Sequence, residues 1–170
     1  MSGNPRALIM NFAAHPDVVW NNFEVSADYV GYATKYTEKA YDGKVNCLFI
    51  QGGAGNQAPL YKDGGRQSPD DPRPANYALI DRMGKLLSIE TVKLADSLYP
   101  DIRDEGSIQV KADSLHFTGR YDKNLRNNIY FSTIVLNKRI AIATCPGEPF
   151  IEFQLDWKKR MEGEAVPFLF

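Results

Sequence analysis

Hydrophobic positions recur along this chain with two different periods, and each change of period marks an element. Residues 6–12 (RALIMNF) are a short apolar run ending in polar turn material, which predicts a buried strand. His15-Pro16-Asp17 follow at once, and Pro16 biases His15 towards extended backbone. After a connection over 17–25 that carries Trp20 and Phe23, Ser26 has the character of a helix N-cap with Asp28 in the first turn. Tyr29, Ala33, Tyr36 and Ala40 then recur at helical spacing as one apolar stripe, and Gly43 is a stop signal. Residues 45–50 (VNCLFI) predict a second buried strand, which leads into a glycine-rich turn over 51–59.

Residues 60–74 lack a period and form a loop of a length usually tied to function or mobility. A long helix is predicted over 75–98, with Leu79, Ile80, Met83, Leu86, Leu87 and Leu94 on one face and Pro100 ending it. Strands are predicted over 107–118, 128–136 and 139–144. The last two are joined by Asn137-Lys138, short enough for a hairpin turn although it lacks the usual glycine. Cys145-Pro146-Gly147-Glu148-Pro149 is a tight turn, and Pro149 suits the first position of a helix whose apolar residues are Phe150, Ile151, Phe153, Leu155 and Trp157. The apolar tail 165–170 either docks as an edge strand or marks a cut in a longer domain. The order β-α-β-α-β-β-β-α predicts an α/β fold: a mixed β-sheet sandwiched by helices, with the first two strands parallel through a right-handed crossover.

Composition narrows the classes of function. The 170 residues suit one domain, and 44% hydrophobic with 24% charged is ordinary globular material. A net charge of -1 and a pI near 6.1 argue against nucleic acid. The densest basic group, Lys158-Lys159-Arg160, falls where a helix ends and complements its dipole. No apolar run approaches the ~20 residues of a membrane helix, and the first five residues lack the apolar core of a signal peptide. Cys47 and Cys145 lie in apolar runs and are expected to be buried free thiols.

Three turns carry candidate chemistry, and all three follow strands: His15-Pro16-Asp17, the glycine turn, and the turn with Glu148. Ligands in open α/β sheets lie beyond the carboxyl ends of strands, so three strands running the same way would gather these turns in one cleft. His15 is either a hydrogen-bonded structural residue or a ligand. His116, inside a strand pattern, is expected to be structural. Glu148, at a predicted helix start, is either a cap or an ionised, directionally fixed metal ligand. The glycine turn lacks the Lys-Ser or Lys-Thr of a P-loop and does not open a helix, so its glycines are expected to let backbone approach a ligand or a neighbouring loop closely.

Four blocks, in order, resemble the neutral/alkaline non-lysosomal ceramidases: Asn11-Phe12-Ala13-Ala14-His15-Pro16, Val25-Ser26-Ala27-Asp28-Tyr29-Val30-Gly31-Tyr32, Phe49-Ile50-Gln51-Gly52-Gly53-Ala54-Gly55, and Pro146-Gly147-Glu148-Pro149-Phe150. The resemblance implies that residues 1–170 are one fragment of a ceramidase-like catalytic domain. It implies a zinc ion held by two histidines, a glutamate and a tyrosine, with His15 matching the second histidine and Glu148 the glutamate. The first histidine would lie before Met1 and the tyrosine after Phe170. The family's Gly-Asp-Val-Ser-Pro loop matches Gly55-Asn56-Gln57-Ala58-Pro59 here, so Ala58 stands at the serine slot and Asn56 at the aspartate slot. A hydroxyl nucleophile at that slot is excluded.

The resemblance implies a zinc-dependent N-acyl amide hydrolase of sphingolipid-type chemistry, acting on a small-molecule or lipid amide, incomplete and inactive as this fragment. Asn56 and Gln57 are candidate donors to a substrate carbonyl, Gly53 and Asp28 candidate substrate-side residues, and Asp28 a candidate partner for His15. Two other readings compete: a non-catalytic ligand-binding homologue of the same fold, and a hydrolase of a non-lipid amide or ester. Members of the family are typically secreted, periplasmic or surface-bound.

Overall fold

A computed structural model describes residues 5–65, 68–98, 106–164 and 166–169. The chain forms two compact units, Met1–Ile50 with Gln57–Ile102, and Gln51–Asn56 with Arg103–Phe170. The first holds β1 (Ala7–Phe12), α1 (Asp28–Ala40), β2 (Asn46–Gln51) and α2 (Tyr77–Leu98). Arg6 and Asn46 pair by a backbone hydrogen bond of 3.0 Å, and Asn11 Nδ2 donates to the Ile50 carbonyl at 3.2 Å. Start meets start and end meets end, so β1 and β2 run parallel, as the β-α-β order requires.

Helix α1 buries Tyr29, Ala33 and Thr37, a ridge of every fourth residue. Tyr36 and Ala40, expected on the same stripe, are less buried because the ridge turns to Thr37, whose hydroxyl donates to Ser88 Oγ of α2 at 3.1 Å. α1 stops where Asp42 N–H donates to the Lys39 carbonyl and Gly43 N–H to the Glu38 carbonyl, with both residues at positive φ. This is a Schellman ending, and it explains the stop at Gly43. α2 starts at Tyr77, two residues later than predicted, and buries Ile80, Met83, Gly84 and Ser88. Leu86 and Leu94, assigned to its inner face from periodicity, are exposed, while Leu79 and Leu87 pack on the core. Pro100 lies outside the described residues. The core gathers Ala14, Val18, Val19, Tyr29, Ile80 and Met83, and each large apolar side chain buried there stabilises by about 1.5–3 kcal/mol.

The second unit holds β3 (Ile108–Thr118), β4 (Arg126–Leu136), β5 (Ile140–Thr144), α3 (Ile151–Arg160) and β6 (Val166–Leu169). Its sheet has the order β3-β4-β5-β6, antiparallel except for the last, parallel pair. Asn137 and Lys138 both adopt positive φ, 53° and 54°, which makes their connection a type I′ turn without glycine. The apolar tail docks as edge strand β6. Strand β3 is exposed along nearly its whole length. The α/β class and its mixed strand directions hold, but the strands fall into two sheets rather than one. Element order constrains neighbours within a β-α-β unit, not which distant strands pair. Among the described residues no helix is long and apolar enough to cross a membrane.

The two helices meet at Gly84, where a Cβ would stand 2.4 Å from Tyr32 Cβ and 2.9 Å from the Ala33 nitrogen. Gly84→Ala is expected to push α1 and α2 apart and to destabilise the first unit by about 1–3 kcal/mol, measured by urea unfolding. An unchanged midpoint would refute this close crossing.

Candidate functional site

His15 sits in the turn after β1, half-buried, and two bonds place it. Its backbone N–H donates to the Gln57 carbonyl at 2.9 Å, and its ring Nδ1 lies 3.2 Å from the same oxygen. A carbonyl only accepts, so Nδ1 carries the proton in this bond. When the ring is neutral, this bond leaves the lone pair on Nε2. Histidines that ligate metals hold their second ring nitrogen in this way, often on a backbone carbonyl.

The turn is clamped by the first residues of α1. Tyr29 is fully buried, its ring set edge-on to Phe12 and Phe49, and its hydroxyl donates to the Ala14 carbonyl at 2.7 Å. Burial, with the Asp28 and Asp17 carboxylates adding to it, pushes the Tyr29 phenol far above its ordinary range, so it stays a donor. Asp28 is buried too. One carboxylate oxygen accepts from Val19 N–H at 3.1 Å and the other from Tyr29 N–H at 2.7 Å. It adopts φ 50°, a left-handed conformation that Asp tolerates better than most residues. Its own N–H donates to Ser26 Oγ at 3.0 Å, so Ser26 serves the helix start although the N-cap position is Ala27. Asp28 thus holds the loop at Val19 and the helix start. A little further on, Lys62 pairs with Asp17 at 2.7 Å and sits over the Trp20 ring.

In the second unit the glycine turn lies against the turn that carries Glu148. Gly53 N–H donates to Gln154 Oε1 at 2.6 Å, and Gly55 N–H donates to the Pro149 carbonyl at 2.9 Å. A Cβ on Gly53 would stand 3.1 Å from the Phe150 carbonyl, and one on Gly55 only 2.3 Å from that of Glu148. The expected close backbone approach is therefore to a neighbouring turn. α3 begins at Ile151, with Phe150 as its N-cap and no side-chain cap of its own, so Pro149 precedes the helix and is not its first residue. Asn56 fills that role from outside: Oδ1 accepts from Ile151 N–H at 3.0 Å, and Nδ2 donates to Glu152 at 2.9 and 3.2 Å. Asn56 thus accepts at the start of α3, and Glu148, for which a cap is one of two readings, is exposed.

His15, Asp28 and Gln57 belong to the first unit, Gly53, Asn56 and Glu148 to the second. Zinc sites take about three or four protein donors. Among the described residues no group of three or more His, Cys, Asp or Glu is arranged to hold a metal ion, so these residues do not fit a complete zinc shell. His116 Nδ1 lies 2.7 Å from Oδ1 of Asn128, its cross-strand partner. Both cysteines are free, Cys47 buried and Cys145 half-buried, and desolvation raises both thiols. Sequence reasoning missed Tyr29 as an anchor, because it read as one more apolar position on α1. It also missed Gln154 and Glu152, polar residues on a helix whose partners lie about 100 positions away.

Replacing Asn56 with Ala removes the acceptor at the start of α3 and should cost about 0.5–2 kcal/mol of stability. Gly55→Ala should cost more than Gly53→Ala, since its Cβ meets the Glu148 carbonyl almost 1 Å closer than the Gly53 Cβ meets its nearest atom. Thermal melts of the three variants check both; equal melts for Gly53→Ala and Gly55→Ala would contradict this geometry.

No protein-family model matches the chain, and no curated protein matches it. Among solved structures it is similar to neutral ceramidase from Pseudomonas aeruginosa, with a TM-score of 0.63 and 11% sequence identity over 96% of this chain and 36% of that one. The chain thus spans about 36% of the length of the ceramidase it resembles, and what the two share is the fold.

Proposed function

We propose that this chain is part of an N-acyl amide hydrolase with zinc as its cofactor, His15 contributing an imidazole. The observation that carries the reading is the His15 ring, with Nδ1 3.2 Å from the Gln57 carbonyl, the kind of contact by which metal-ligating histidines are held. The ceramidase-like fold supports it. One imidazole falls short of a zinc shell, so further ligands would complete it. Gln57 is the proposed donor to a substrate carbonyl. Asn56, whose amide group is directed at Glu152 and Ile151, is assigned to shaping the loop. That use of Asn56, together with Ala58 at the serine slot, supports a second reading, a ligand-binding homologue without turnover.

The 170-residue chain alone is expected to hold well under one equivalent of zinc after dialysis and to turn over no N-acyl amide. Metal analysis and fatty-acid release from a fluorescent N-acyl sphingosine check this. In the longest product of its gene, zinc should be stoichiometric, and His15→Ala should lower turnover at least ~100-fold, the scale on which displaced catalytic groups lose rate. Turnover that survives His15→Ala would sink the hydrolase reading. Zinc-free binding of the N-acyl lipid without turnover would establish the second.

A further inference from the structure

We propose that β3 is a self-association surface: its free edge pairs antiparallel with β3 of a second copy of this chain, centred on Ala112, so that Lys111 of each copy lies opposite Asp113 of the other. The pairing does not depend on the chemistry at His15.

β3 is the outermost strand of its sheet, with no strand on its far side among the described residues. The bonds at its two ends show which backbone groups β4 uses. Asn137 N–H donates to the Ser107 carbonyl and Gly119 N–H to the Leu125 carbonyl, both at 2.8 Å. Both pairs continue the register that sets Ile108 opposite Leu136 and Thr118 opposite Arg126. Bonded and unbonded pairs alternate along an antiparallel ladder, so the odd-numbered residues of β3 bond β4. Ile108, Val110, Ala112, Ser114 and His116 therefore direct N–H and C=O outwards. This edge runs for 11 residues without a bulge or a proline, two devices that usually blunt an open edge. Charged residues in mid-edge are a third. Here the two charges, Lys111 and Asp113, are opposite in sign and two residues apart, which selects one register instead of opposing all. Outward groups must meet outward groups, so even-numbered residues pair with even-numbered ones. Centring on Ala112 then sets Lys111 opposite Asp113 twice, in the closer, unbonded pairs. The next register on either side sets Lys111 opposite Lys111, or Asp113 opposite Asp113. In the single chain Asp113 Oδ1 accepts from Ser114 N–H at 2.7 Å and so occupies one outward amide. In the pair that amide bonds Val110 of the second copy, and the carboxylate turns to Lys111. Ile108 and Val110, 72% and 66% exposed, lie along the same edge and lose water with it.

Sedimentation of the 170-residue chain over a wide concentration range should show a monomer–dimer equilibrium. Lys111→Glu confronts each Asp113 with a second carboxylate and should weaken the dimer about 10-fold or more, and Asp113→Lys should do the same with two ammonium groups. The double variant, Lys111→Glu with Asp113→Lys, restores opposite signs at both pairs and should recover the wild-type affinity. Ala112→Pro removes an N–H that β4 does not use, and should leave the chain folded by circular dichroism but monomeric. Should that variant fail to fold, the charge series decides by itself. A chain that stays monomeric at every concentration overturns the proposal. So does a dimer that the charge variants leave unchanged, or one that the double variant fails to rescue. In the longest product of its gene, protection of the Val110 and Ala112 amides from hydrogen exchange in the monomer would assign the edge to another segment of that product, which overturns it as well.

Discussion

The first unit depends on a buried phenol and a buried carboxylate side by side at the start of one helix. Tyr29 and Asp28 both lie in the core, and together they bond the loop at Ala14 and Val19. A buried polar group is tolerated only when its bonding capacity is met, and removing one partner costs more than the pair contributes. The arrangement is therefore all-or-nothing. The start of the helix and the loop are placed together, and the left-handed backbone at Asp28 accompanies a carboxylate whose two oxygens both meet amide groups.

The second unit repeats the logic with backbone and amide in place of phenol and carboxylate. α3 starts without a capping side chain from its own sequence neighbours, and Asn56 supplies one from the glycine turn. That is possible only because Gly53 and Gly55 lack the Cβ that would separate the two turns. The glycines, which in sequence resemble a ligand cradle, are needed by the fold itself. A resemblance of short motifs does not distinguish these uses, since the same absence of a side chain admits either a ligand or a neighbouring backbone.

Legibility followed the range of the interactions. The strands, the three helices, the stop at Gly43 and the hairpin at Asn137-Lys138 were all written in local periodicity and turn chemistry, and they appear within a few residues of where the pattern puts them. The inner face of α2 was legible only in its first half. Ile80 and Met83 are buried, but Leu94 is 64% exposed, because an apolar stripe states what could be buried and not how far a partner extends. His15 and Glu148 were singled out because they occupy turns after strands. Tyr29, Gln154 and Glu152 were not, because nothing local distinguishes a packed tyrosine from an anchoring one.

By itself the sequence determined the α/β class, the order and kind of the elements, and the short turns that hold the polar groups, because these depend on contacts within a few residues. Only the tertiary structure decided that the strands divide into two sheets, that Asn56 caps a helix begun 95 positions later, and that one carbonyl, that of Gln57, receives both the backbone and the ring of His15. Those outcomes require groups far apart in the chain to meet at hydrogen-bonding distance. Pairing at that range is set by the packing of whole elements, which no window of sequence contains.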